Sequence, residues 1–105
     1  METLDCAAIW TRKPQERNDQ KYFFSGRFYF TKAVFESLHF DEIIFIYQDV
    51  QDFAKQSNGI DYLQVYTDND GRELFLIDQL DQEMIENGEY GLLHNYCTMM
   101  YANEY

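Results

Sequence analysis

Carboxylates are the main chemical resource of this chain: 19 of its 105 residues are Asp or Glu, against eight Lys and Arg and two His. The densest cluster, Asp68-Asn69-Asp70-Gly71, has the composition of a calcium loop. An EF-hand with Gly71 at its sixth position needs acids at its first and twelfth, where Tyr66 and Ile77 stand, so the run reads as a hairpin turn. His94 and Cys97 are three residues apart, but with His39 and Cys6 they make neither a C-x-x-C nor an H-x-x-x-H pair, and no metal site is expected. A thiol nucleophile at Cys97 needs an imidazole beside it, and on one strand His94 and Cys97 face opposite sides. The chain has no Gly-rich phosphate loop and no G-x-S-x-G run. With this many acids, some pair falls at glycosidase-like separation in any fold, so pairing alone carries no information. The residues read as non-catalytic and without a cofactor. A small hydrolase or nucleotide-modifying enzyme with an unlocated site is the alternative, and a structural homo-oligomeric subunit is the third reading.

The placement of charge says more. Residues 1–32 hold six bases against four acids, whereas residues 33–105 hold two bases, Lys55 and Arg72, against fifteen acids, a balance of −13 within a total of −11. A mildly basic arm is joined to a strongly acidic body. Nucleic-acid affinity comes from Lys and Arg neutralising phosphates, so this field repels DNA, RNA and anionic membranes. It attracts a basic protein surface, such as the nucleic-acid channel of a nuclease.

The sharpest candidate surface lies on an expected helix over 41–57. Ile43, Ile46, Tyr47, Val50, Phe53 and Ala54 fall on one side of the helical wheel. Opposite them stand Asp41, Asp49 and Asp52, with Phe45 among them and Gln48 and Gln56 alongside. An aromatic ring inside an acidic face supplies desolvated area while the carboxylates steer a basic partner. The other reading of Phe45 is a contact with a neighbouring element. Asp68, Asp70 and Glu73 form a second acidic patch at the hairpin tip, and Asp81, Glu83, Glu86 and Glu89 form a third. The candidate partner-binding residues are therefore Asp41, Phe45, Asp49, Asp52, Asp68, Asp70 and Glu73.

These side chains need elements to hold them. Leu4 to Trp10 reads as a strand, followed by a polar loop over 11–20 that contains the only proline. Lys21 to Phe30 is aromatic-rich and broken at Ser25-Gly26, which fits a tight hairpin or one bulged strand. Thr31 can cap a short helix to His39, and Asp41 a longer one ending at Asn58-Gly59; a buried strand over 43–47 competes with the latter. Strands 60–67 and 72–77 flank the turn at 68–71. Asp78 with Asp81 resembles a capping box for a helix ending at Asn87-Gly88, and a last strand covers 93–101.

The whole is a single-domain α+β protein over 1–105, with a mostly antiparallel sheet packed on two or three helices. At 46% hydrophobic residues the chain can bury a core. No stretch nears the ~20 apolar residues of a membrane helix and Met1 to Trp10 lacks the pattern of a leader, so a cytoplasmic protein is expected. Cys6 and Cys97 read as reduced strand residues. In charge and size alone, with no motif to carry the comparison, the chain is similar to small acidic proteins of phages and mobile elements that block restriction or CRISPR nucleases as nucleic-acid mimics. Nine tyrosines in so short a chain also point to a two-fold homodimer through strands 22–30 or 93–101.

Overall fold

A computed structural model describes residues 5–88 and 92–105. Leu4 of the expected first strand and Glu89 of the third acidic patch lie outside the described residues. The described residues open with a single helical turn rather than a strand: α1, Cys6–Ile9, is capped by Asp5, whose carboxylate accepts the Ala8 N–H. A short polar cap followed by Cys-Ala-Ala suits a helical turn, and the apolar run is too short to settle the matter by pattern. The expected loop then contains β1, Thr11–Arg12, paired antiparallel with β3, Leu63–Thr67.

Residues 21–30 form neither a hairpin nor a bulged strand. Tyr22 makes a lone bridge to Ile60, Phe24 turns the chain in the left-handed region at φ 55°, and only Arg27–Phe30 is strand, β2. Gly26 is required by contact, since a side chain there would collide with the Asn95 carbonyl. Two helices follow. Thr31 caps α2, Lys32–Ser37, and His39 precedes α3, Phe40–Gln56, which takes in the whole of 43–47. Its apolar stripe of Ile43, Ile46, Val50 and Ala54 is buried, as the wheel requires.

Strand β3 turns through 68–71 into β4, Glu73–Asp78, with Gly71 at φ 85°. Asp78 does not cap the next helix. It ends β4 as a buried residue, and Asp81 caps α4, Gln82–Asn87, by accepting the Met84 N–H at 2.9 Å. Gly88, left-handed, stops α4 where the Asn-Gly pair placed the stop. A 3-10 turn, Leu92–His94, precedes β5, Tyr96–Tyr101, so His94 and Cys97 do not share a strand. A second 3-10 turn, Ala102–Glu104, ends the chain.

The sheet order is β1-β3-β4-β5-β2, antiparallel except for the parallel β5/β2 pair. Helix α3 covers one face, where Tyr66, Leu74, Leu76, Cys97 and Met99 join its stripe in the core. Phe28 of β2 stacks on Tyr47 of α3 with centroids 4.1 Å apart and planes 6° apart. The protein is one α+β domain. Both cysteines are buried and free, Cys97 in a strand and Cys6 in a helix. No helix among the described residues is long and apolar enough to cross a membrane.

Candidate protein-binding surface

The basic arm does not stand apart from the acidic body. It folds onto it and takes up two of the carboxylates that the sequence marks for a partner, Asp49 and Glu73. Arg12, placed by β1, reaches across to α3 and pairs with Asp49 at 2.5 Å, while the buried Tyr66 hydroxyl donates to the same Oδ2 at 2.6 Å. The Arg12 guanidinium also lies 3.9 Å from the Phe53 ring centroid, so its charge is held on two sides. Burial, followed by the hydrogen bond and charge of Asp49, pushes the Tyr66 phenol well above its ordinary range. Beside this network Trp10 donates its indole N–H to the buried Glu42 at 2.6 Å. Glu42 in turn accepts the His39 N–H at 3.0 Å, which satisfies a free donor at the start of α3.

Phe45 sits under this arm. Its ring packs against the core and helps line a cleft of about 280 Å³ with Ala7, Trp10, Thr11, Arg12, Asp49 and Tyr66. The structure thus brings Phe45 and Asp49 together, partly covered by the arm, and leaves Asp41 and Asp52 exposed beyond them on the same helix. Eleven residues separate these two, about 16 Å along the axis and about 20° around it, so they project on one side.

The hairpin tip divides in the same way. The Asp68 side chain is only 2% exposed, accepts the N–H groups of Asp70 and Arg72, and pairs with the Arg72 guanidinium at 2.6 Å. Burial raises the Asp68 carboxyl, but Arg72 and the backbone donors outweigh it and hold it below the usual range. Glu73 pairs with Lys13 at 2.7 Å, and Asp70 remains exposed. Asp81 serves as a cap, whereas Glu83 and Glu86 point to solvent on α4.

Two features are hard to read in the sequence. Five of the eight bases enter ion pairs, leaving Lys21, Arg27 and Lys55 outside them among the described residues. Against these three stand exposed, unpaired Asp5, Glu16, Asp41, Asp52, Asp70, Glu83, Glu86 and Glu104. The second feature is the sheet face away from α3. Leu63, Val65 and Phe75 floor a cleft of about 300 Å³ there, rimmed by Lys13, Glu16, Tyr62 and Glu73. The period-two alternation of 63, 65 and 75, 77 is the signal for this second apolar face.

Cys97 is wholly buried, and desolvation with the nearby Asp78 charge pushes its thiol up to about 12, which disfavours the thiolate a nucleophile needs. The Cys6 thiol is raised by burial and by Glu42 and Asp41. Among the described residues no group of three His, Cys, Asp or Glu could hold a metal ion. Comparison with protein-family models, curated proteins and solved structures finds no match.

Proposed function

We propose that this chain is a non-catalytic, acidic protein-binding module that presents carboxylates to the basic surface of a nucleic-acid-handling protein. It would act as an inhibitor that occupies a nuclease's nucleic-acid channel in the cytoplasm. The observation that carries this reading is the fate of the bases. Arg12, Lys13 and Arg72 are spent on internal pairs with Asp49, Glu73 and Asp68, so the remaining surface carries an uncompensated negative field. Asp41 and Asp52 on one side of α3 supply the steering charge, and Asp70, Glu83 and Glu86 extend it. Asp49, Asp68 and Glu73 act indirectly, by holding the cations that would otherwise cancel the field.

The same field argues against a nucleic-acid or anionic-membrane partner. The test is the association rate with purified basic nucleases of restriction or CRISPR systems as ionic strength rises. Steered association slows steeply with salt while dissociation changes little. An association rate indifferent to salt would remove this reading.

A further inference from the structure

A separate feature, which does not depend on the acidic-partner reading, is the outer edge of the sheet at β2. Arg27 and Thr31 donate their N–H groups to Asn95 and Met99 across the parallel β5 pairing. By strand alternation Tyr29 also faces β5, so the N–H and C=O groups of Phe28 and Phe30 point away from the sheet. These four groups have no partner among the described residues. The other edge is blunted: β1 has two residues and runs into Lys13-Pro14. Strand β2 carries no proline or lysine and exposes Tyr29 by 48%.

We propose that two copies of this chain join through β2, antiparallel about a two-fold axis at Tyr29, so that two five-stranded sheets become one. The register follows from the free groups. Only an axis at Tyr29 sets Phe28 opposite Phe30 of the second copy, and Phe30 opposite its Phe28, so that all four outward groups of each strand are used. An axis at Phe28 sets Phe30 opposite Gly26 of the second copy, and an axis at Phe30 sets Phe28 opposite its Lys32, both outside β2, so half of the groups face no strand residue.

Side chains agree with that register. Tyr29 meets Tyr29 of the second copy as a non-hydrogen-bonded pair, the closer kind, on the face where Tyr29 already packs edge-on against Tyr96 at 5.6 Å. Arg27, a base outside the ion pairs, falls opposite Thr31 of the second copy. The Thr31 hydroxyl donates to Glu104 at 2.9 Å, and Glu104 is an exposed acid with no ion pair. The contact therefore brings an unpaired cation to an unpaired carboxylate twice, once on each side of the axis. Two chains of charge −11 repel at longer range, so screening strengthens the dimer.

Cross-linking at single cysteines tests this register. A non-hydrogen-bonded pair at Tyr29 holds its Cα atoms about 4.5 Å apart, within disulfide range. The two Arg27 positions lie four residues out of register, about 13 Å apart. With oxidised glutathione as oxidant, Tyr29→Cys should give a covalent dimer and Arg27→Cys should remain monomeric; Cys6 and Cys97 are buried. In sedimentation the wild type should move from 12.7 kDa toward twice that mass as salt increases, and Tyr29→Lys, at an exposed site, should stay folded and monomeric. Equal cross-linking at both positions would overturn the proposal, as would a wild type that remains monomeric at every salt concentration.

Discussion

Tyr66 of β3 donates its hydroxyl to Asp49 of α3 at 2.6 Å, on the same carboxylate oxygen that receives Arg12. Tyr66 is 1% exposed, so its hydroxyl has no water to fall back on. Asp49→Ala should therefore cost about 2 kcal/mol in urea unfolding, mostly from the stranded hydroxyl rather than the partly exposed ion pair. Tyr66→Phe should cost about half as much, because Asp49 keeps Arg12. If Asp49→Ala unfolds no more easily than Asp52→Asn, the network has no structural weight.

Phe45 is packed against the core beneath the arm. Phe45→Ala should lower stability by about 3 kcal/mol, the low end for a phenylalanine truncation, because the ring is only partly buried. Calorimetric unfolding of the variant decides between this role and that of a free interaction anchor, for which stability would not change.

Gly26 lies against the carbonyl of Asn95, the acceptor that ties β2 to β5 through the Arg27 N–H. The obstacle is backbone, which cannot rotate aside as a side chain could. Gly26→Ala should cost about 2 to 3 kcal/mol and speed amide exchange at Arg27. Gly71→Ala, with open space around it but φ at 85°, should cost about 1 kcal/mol from backbone strain alone.

Asp78 gives stability a pH dependence of defined sign. It is 3% exposed, and burial pushes its carboxyl up to about 6 despite hydrogen bonds from the Phe24 and Gln79 N–H groups. Its folded value lies above its unfolded one, so between about pH 4 and 6 the native state binds the extra proton and stability falls as pH rises. The loss amounts to about 3 kcal/mol by pH 7. Unfolding free energies measured from pH 4 to 7 should show this slope, and Asp78→Asn should flatten it.

The parts legible in the sequence are those fixed by neighbours within a few residues. The stripe of Ile43, Ile46, Val50 and Ala54 fixes α3, and Asp-Asn-Asp-Gly and Asn87-Gly88 fix a turn and a stop. The parts misread depend on distant partners. Arg12 finds Asp49 across 37 residues and Lys13 finds Glu73 across 60, pairings that no local spacing announces. Strand β2 is specified by its parallel partner β5, 69 residues further along the chain, and Asp78 is drawn from a capping role into the core by the Phe24 N–H. Asp52 and Asp70 are exposed because nothing in the fold claims them, and Asp41, expected as the helix cap, lies exposed in the first turn after the true cap, His39.

Reversing the two free charges on α3 separates a surface that steers a basic partner from one that is merely solvated. Asp41→Lys combined with Asp52→Lys leaves Asp49, Arg12 and Tyr66 in place, so the fold should hold while the field changes sign locally. Against a basic nuclease that binds the wild type, stopped-flow association of this variant at low salt should be about tenfold slower or worse, with a shallower salt dependence and an unchanged dissociation rate. An association rate equal to that of the wild type, with the fold intact, would show that these carboxylates are only a solvated surface and would contradict the account.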